Sequence, residues 1–308
     1  MRALYGVPSI EEHAAAGDEL RRIFYVDGYG RDLILIAFVR APGRDPELRV
    51  HYPRREREAR PDPLRAPVPQ GAWNEVVARA AHFDRSFVAV PEAGPSICSH
   101  SWVYVMEAAE PSRYPQQPVQ IRRKTEDACE EGPGQVYARD LARLALGLIP
   151  HCSALDPAQH RNEASMLDAC RILHGDRLAA AEVLNRAGAF RQLRGPQDAE
   201  RIAGHFAQET QIDWAGAPYR GAGYRAGEFW TARLGPGDGP TNMYFERVEG
   251  ETGRRVRLSG SLSRSVDTPR GEGTGIETAT VEQIWTRDGN GEMQVERATI
   301  GPWRTDRR

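Results

Sequence analysis

The chain contains 308 residues, 40% of them hydrophobic and 27% charged, and its 41 basic and 43 acidic residues leave a formal net charge of -2. A net charge this small provides no field that would gather nucleic acid or an anionic membrane, so we expect no nucleic-acid partner. No apolar run is long enough for a membrane-spanning helix. The length exceeds the usual size of a single hydrophobic core and therefore predicts two domains.

The first half of the sequence mixes strand-like and helical patterns. Segments rich in β-branched and aromatic residues predict strands, the first three of them an antiparallel meander, over 19–26, 32–39, 47–52, 86–90, 99–106 and 118–123. Apolar residues at helical spacing predict helices over 72–83, 135–148 and 162–173. We therefore expect an α+β domain over residues 1–174, with an antiparallel sheet and helices.

The last third of the chain predicts three short helices followed by long strands. The helical patterns cover 177–190, 197–206 and 224–234, and the third of these is expected to act as a lid. The strand patterns cover 242–248, 254–265, 277–287 and 292–302, with a hairpin turn at 288–291. Apolar and polar residues alternate along the second strand, which predicts an antiparallel sheet with one buried face. We place this second α+β domain at residues 175–308.

Four cysteines lie between positions 98 and 170, and none belongs to a CxxC pair. Their even number and clustering predict two disulfides, for which three pairings are possible. The sequential pairing, which closes the shortest loops, joins Cys98 to Cys129 and Cys152 to Cys170. Histidines beside several of the cysteines leave a metal site as one alternative, and free buried thiols are the other. The spacing is wider than structural zinc normally uses, so we predict no metal.

Two signals bear on the compartment. Disulfides form in oxidising compartments and predict an exported bacterial protein, periplasmic or secreted. The first residues lack an apolar export segment, which favours the cytoplasm. A leader that has been removed would reconcile the two signals, and we expect an exported protein.

The order of elements in the last third, ending in the strand-turn-strand segment 281–303, resembles the nuclear transport factor 2-like cone superfamily. That superfamily includes SnoaL-like proteins, ketosteroid isomerases and scytalone dehydratases, together with ligand-binding and structural domains. The resemblance covers about residues 175–303 and implies a cone in which a strongly curved antiparallel sheet and three helices enclose a pocket. The first half of the chain resembles no family.

Within that superfamily, the ketosteroid isomerase branch is the most similar to this sequence. It carries an aspartate, a glycine three residues later, an arginine-containing loop and an aromatic-ended helix, matched here by Asp213, Gly216, Arg220 and Trp230. The resemblance implies Asp213 as a base that removes a proton next to a carbonyl, while two donors stabilise the oxyanion. The first expected donor falls at 189–190, where neither residue has a hydroxyl. The second falls at 282–283, which hold Glu and Gln. His205, Tyr219 and Tyr244 are candidate replacements.

Structural roles compete with these functional ones. An aspartate beside a turn commonly accepts hydrogen bonds from loop amides, which is the alternative for Asp213. Aromatic side chains dominate burial, which is the alternative to ligand binding for Trp214, Trp230 and Trp285. Tyr244 is a further candidate for ligand binding. His205 is equally compatible with a role on a helix surface or in the core. The sequence leaves both readings open.

Two functions follow as hypotheses. In the first, the carboxyl-terminal domain binds a small apolar molecule or has a structural role and uses no cofactor. In the second, it is a cofactor-independent isomerase or lyase with Asp213 as its base. Catalysis requires the Asp213 carboxylate, a tyrosine hydroxyl and a third polar group to converge in an enclosed cavity. A homodimer through the sheet of this domain belongs to a further possibility, in which the first half of the chain carries the function.

Overall fold

The computed structural model describes residues 2–54, 61–79, 82–84, 102–110, 119–127, 132–235, 239–267 and 274–305. The chain divides into two compact units. The amino-terminal unit comprises Met1–Ser153 and His160–Arg171, and the carboxyl-terminal unit comprises Ala154–Gln159 and Ile172–Arg308. Helices and mainly antiparallel sheets make the protein α+β, as the sequence predicts.

The amino-terminal unit contains a six-stranded antiparallel sheet in the order β4-β3-β2-β1-β5-β6. Its strands are β1 Glu19–Val26, β2 Asp32–Arg40, β3 Glu47–His51, β4 Leu64–Pro67, β5 Val103–Glu110 and β6 Gln120–Asp127. The predicted meander of the first three strands is confirmed. β5 and β6 begin a few residues later than predicted, and the strand predicted over 86–90 lies outside the described residues.

Six α-helices of this unit have both of their ends within the described ranges. They are α1 Arg2–Tyr5, α2 Ile10–Ala15, α3 Gln70–Ala78, α4 Pro133–Gly147, α5 Pro150–Ser153 and α6 Glu163–Ala169. Buried tyrosines tie two of the helices to the sheet: Tyr25 donates its hydroxyl to the carbonyl of Ala138 at 2.6 Å, and Tyr52 donates to Leu167 at 3.0 Å. Each bond satisfies a buried hydroxyl that would otherwise destabilise the core.

A disulfide between Cys152 and Cys170 joins α5 to the short 3-10 helix that follows α6. This pairing is the predicted one. Both half-cystines are buried. Cys98 and Cys129, the other predicted pair, lie outside the described residues.

Removing the disulfide with the double substitution Cys152→Ala/Cys170→Ala is expected to lower the free energy of unfolding by about 3 kcal/mol, because the unfolded chain gains conformational freedom. Urea unfolding without reductant measures the change. The matched control is Ser153→Ala, an exposed position beside the bridge, which should stay within about 0.5 kcal/mol of the parent. Equal stability of the double variant and the parent would contradict the prediction.

The carboxyl-terminal unit contains a nine-stranded sheet in the order β10-β9-β14-β13-β12-β11-β7, with β8 paired to β11 and β15 paired to β13. Its longer strands are β9 Phe206–Trp214, β10 Ala217–Gly221, β11 Thr241–Thr252, β12 Arg255–Asp267, β13 Thr274–Arg287 and β14 Met293–Ile300. Its shorter strands are β7 Leu173–Gly175, β8 Gln192–Leu193 and β15 Arg304–Thr305. Its helices are α7 Arg177–Ala187, α8 Ala199–Ala203 and α9 Gly223–Thr231.

Two features of this sheet correct the sequence prediction. The sheet is not wholly antiparallel, because β7 runs parallel to β11 and β9 runs parallel to β14. Parallel neighbours need a long crossover, and here helices and other strands separate the paired segments along the chain. Arg220, which the resemblance places in a loop, lies on the edge strand β10. The predicted alternation along β12 is confirmed, with Val256 and Leu258 buried and Arg257 between them exposed.

None of the described helices is long and apolar enough to cross a membrane.

Candidate functional site

Aromatic rings fill the interior of the carboxyl-terminal unit. Phe190, in the 3-10 turn after α7, lies at their centre, with ring centroids 5.4 Å from Trp230 and 6.2 Å from Trp285. Trp214 packs edge-on against Trp230 at 5.4 Å. Trp230 and Trp285 have no exposed surface at all. The three tryptophans that the sequence offered as ligand contacts thus belong to the hydrophobic core.

One polar side chain, Gln283, is buried among these rings. Its amide oxygen accepts a hydrogen bond from the Trp285 indole nitrogen at 3.0 Å. Its amide nitrogen has no partner within the described residues, and neither has the indole nitrogen of Trp230. Gln283 points inward and Glu282 is exposed, which resolves the one-residue uncertainty left by the sequence. An amide can donate a hydrogen bond but cannot transfer a proton as a carboxylic acid does.

His205 lies at the margin of the aromatic cluster, just before β9. Its ring centroid is 5.9 Å from that of Phe190 and 6.3 Å from that of Trp285. Burial lowers the pKa of His205, and the charge of Arg186 lowers it further, whereas Glu292 opposes the shift. The imidazole is therefore neutral at pH 7, with its Nδ1 atom buried and without a partner among the residues described.

Asp213 lies on the opposite face of the sheet from these rings. Along β9, Ile212 and Trp214 are buried, and Asp213 between them is exposed. Its Oδ1 atom accepts the backbone N–H of Gly216 at 2.8 Å. Ala215 and Gly216 have φ angles of 52° and 87°, as the two-residue hairpin between β9 and β10 requires. Asp213 therefore stabilises this turn.

Tyr219 and Tyr244 do not meet Asp213. Tyr219 is paired across β9 and β10 with Ile212, whereas Asp213 is paired with Pro218, so Tyr219 and Asp213 lie on opposite faces. The Tyr219 ring stacks on Phe229 of α9 with a centroid distance of 4.4 Å. Tyr244, on β11, is 57% exposed.

The groups required for catalysis consequently do not converge in an enclosed cavity. The structure brings His205 together with the tryptophan core, leaves Tyr219 under α9, and leaves Asp213 and Tyr244 at the outer surface. Arg220, the arginine of the resembling motif, forms an exposed ion pair with Glu209 at 2.8 Å.

An open cleft of about 680 Å³ runs over the outer surface at β10, β9 and β14. The outward-facing residues that give it chemical character are Asp213, Pro218, Arg220, Arg297 and Thr299. Arg297 is exposed, and within the described ranges no carboxylate pairs with it. The cleft thus offers a guanidinium that forms no ion pair within the described part of the chain, beside a carboxylate, a hydroxyl and an apolar edge.

Among the described residues, one group of potential metal ligands comes close together. His151, Cys152 and Cys170 have their ligand atoms within 4.8 Å of one another. The two sulfur atoms are joined in the disulfide, so neither is a thiolate that could coordinate a metal.

The sequence matches no protein-family model and no curated protein. Several solved structures are similar over part of the chain. A nuclear transport factor 2-like protein of unknown function from Shewanella oneidensis is 9% identical, with 34% of this chain and 84% of that chain covered and a TM-score of 0.26. A candidate scytalone dehydratase from Novosphingobium aromaticivorans is 13% identical, with 35% and 70% covered and a TM-score of 0.27.

A candidate aromatic ring hydroxylase from the same organism is 12% identical, with 41% of this chain and 92% of that chain covered and a TM-score of 0.30. The chain therefore resembles nuclear transport factor 2-like proteins over part of its length, and the remainder is not recognised.

Proposed function

We propose that the carboxyl-terminal unit is a binding module without catalytic activity, and that its ligand lies in the outer cleft between β10, β9 and β14. The observation that carries this proposal is the complete burial of Trp230 and Trp285 around Phe190. Rings packed in this way occupy the space that an enclosed substrate would need. Catalysis by Asp213 lacks comparable support, because its carboxylate faces away from those rings and binds a turn amide.

The size and chemistry of the cleft support a small-molecule ligand. Its volume of about 680 Å³ falls within the range of about 300–1,000 Å³ typical of ligand pockets. Pro218 supplies apolar surface, and Arg297 supplies a charged donor that forms no ion pair within the described residues. A guanidinium binds a carboxylate through two parallel hydrogen bonds. The expected ligand is therefore a small, partly apolar molecule with a carboxylate group.

A set of small aromatic and aliphatic carboxylic acids tests this proposal by NMR on the full-length protein. Binding in the cleft is expected to shift the backbone amide signal of Gly216 and to leave the indole N–H signals of Trp230 and Trp285 unchanged. The substitution Arg297→Gln should weaken binding about tenfold, because a hydrogen bond to a charged group is lost. The matched control is Arg254→Gln, since Arg254 is an exposed arginine of the same unit outside the cleft.

The opposite pattern would contradict the proposal. If the acids shifted the indole signals and left Gly216 unchanged, the ligand would lie inside the aromatic core. If Arg297→Gln and Arg254→Gln weakened binding equally, the guanidinium of the cleft would have no specific role.

An oxidising compartment is part of the same proposal. The Cys152–Cys170 disulfide supports a periplasmic or secreted location, because disulfides persist mainly outside the cytoplasm. Alkylation of acid-quenched cells that produce the protein, followed by mass spectrometry, reports the state of these two residues. Full alkylation of both thiols would contradict an exported location.

A further inference from the structure

A second pocket lies in the amino-terminal unit, on one face of its six-stranded sheet. It has a volume of about 210 Å³, larger than the roughly 30 Å³ of one water molecule and below the range of drug-sized ligand pockets. The turn between α1 and α2 forms one wall through Gly6, Val7 and Pro8, and strands β1 to β4, together with His13 of α2, form the rest. The space suits a small ion or molecule.

Strand register concentrates positive charge in this pocket. Arg22 on β1 is directly opposite Ala37 on β2, Ala37 is opposite Arg49 on β3, and Arg49 is opposite Arg65 on β4. Residues directly opposite one another in a sheet project from the same face, so the three guanidiniums form one row around a small central side chain. His51, two residues after Arg49, projects from this face as well and also lines the pocket.

Carboxylates only partly neutralise this row. Glu47 is shared, since it contacts Arg49 at 2.6 Å and Arg65 at 3.0 Å. Glu107 contacts Arg22 at 2.6 Å and also the more exposed Arg123 at 2.6 Å. Among the described residues that line the pocket there are three arginines and two histidines but no acidic residue.

Arg22 places a fixed positive charge at the bottom of the pocket. Its side chain is only 1% exposed, and a second hydrogen bond, to the carbonyl oxygen of Pro8 at 2.8 Å, holds it against the pocket wall. A guanidinium immobilised in this way has lost its side-chain entropy before any ligand arrives, so less is lost on binding.

His51 reports the field inside the pocket. Burial lowers its pKa to about 4, and the charges of Arg49, Arg65 and Arg22 add to this effect, whereas Glu47 opposes it. His13, the other imidazole of the pocket, is held by Asp18 at 2.7 Å. The arginine charges around His51 thus disfavour a further cation in the pocket.

We propose that this pocket is a binding site for a small oxyanion, either a free ion or the phosphate, sulfate or carboxylate end of a small metabolite. Arg49 and Arg65, which are 32% and 53% exposed at the mouth of the pocket, bind the anion directly. Arg22 supplies positive charge at the bottom of the pocket, and neutral His51 donates a hydrogen bond to the anion or accepts one from it. The site lies wholly within the amino-terminal unit and does not depend on the function proposed for the other unit.

The first experiment follows the His51 ring by NMR during a pH titration of the full-length protein. Sodium sulfate is the probe, because it stays a dianion throughout, and sodium chloride at equal ionic strength is the reference. A bound anion stabilises the imidazolium, so the pKa of His51 is expected to rise by about 1–3 units in sulfate. His51→Gln identifies the signal, and His205 in the other unit is the internal control. Equal His51 titrations in sulfate and chloride would overturn the proposal.

The second experiment measures sulfate affinity at pH 7 by calorimetry for matched variants. Arg49→Gln and Arg65→Gln are each expected to weaken binding about tenfold, because each removes a hydrogen bond between charged groups. Arg143→Gln makes the same change in net charge at a 64% exposed arginine that pairs with Glu163 in the same unit, and it should bind like the parent. If all three variants bound sulfate equally weakly, the effect would come from the general surface charge and not from the pocket, and the proposal would be overturned.

Two further arms of the calorimetry identify the chemistry of the ligand. Inorganic phosphate that binds more tightly than acetate would assign the site to tetrahedral oxyanions, and the reverse order would assign it to carboxylates. Binding of neither, together with an unchanged His51 signal, would overturn the site altogether.

Discussion

Replacing Trp285 with alanine is expected to lower the free energy of unfolding of the carboxyl-terminal unit by about 3–5 kcal/mol, the usual cost of removing a buried aromatic side chain. The indole has no exposed surface, contacts Phe190 and His205, and donates its N–H to Gln283. Alanine would leave a cavity lined by rings that cannot collapse into it, and it would also leave the Gln283 amide without its partner. Urea unfolding followed by circular dichroism measures the loss.

The control for this prediction is Tyr244→Ala in the same unit. Tyr244 is 57% exposed, so its replacement should change stability by no more than about 0.5 kcal/mol. A loss below about 1 kcal/mol for Trp285→Ala would contradict the prediction, because values that small are unusual for buried aromatic residues. That outcome would indicate a loosely packed or hollow interior and would revive the enclosed pocket that the resemblance implies.

Local sequence patterns predict most of the longer helices and strands, but they do not predict several of the strand and cysteine pairings. The alternation around Val256 and Leu258 is enough to predict a sheet with one buried face, because side chains repeat every two residues along a strand. β7 has only three residues, too few to show a period, so neither the strand nor its parallel partner β11 could be predicted. Among the cysteines, spacing allowed three pairings, and proximity in the fold selects Cys152 with Cys170.

The sequence-based interpretation of the candidate site depended on strand register, because a shift of one residue moves a side chain to the opposite face of the sheet. The apolar positions Ile212 and Trp214 bracket Asp213, and this alternation was a signal that could have assigned Asp213 to the outer face. The resemblance to the isomerase motif pointed instead to an inward carboxylate. Similarly, the buried position of Gln283 and the exposed position of Glu282 are decided by pairing with β12 and β14, which the segment itself does not encode.

The arginine row of the amino-terminal unit could not be predicted from the sequence for a related reason. Arg22, Arg49 and Arg65 lie far apart along the chain, on three different strands. Their alignment requires the register of three consecutive strand pairs to be known together. A register error of one residue in any pair would move an arginine to the opposite face.

Breaking the buried ion pair between Arg22 and Glu107 is also expected to lower stability strongly. The Arg22 and Glu107 side chains are each 1% exposed, with 2.6 Å between Nε and Oε2. Arg22→Met is expected to lower the free energy of unfolding by about 3–5 kcal/mol, because it leaves a buried carboxylate without its main partner. The exposed pair of Arg143 and Glu163 provides the matched control, since Arg143→Met should cost at most about 1 kcal/mol.

The origin of this loss can be separated from simple packing by a second variant. The double variant Arg22→Met/Glu107→Leu, which removes both charges, should recover most of the lost stability. A double variant less stable than Arg22→Met would instead show that Glu107 stabilises the unit mainly through Arg123.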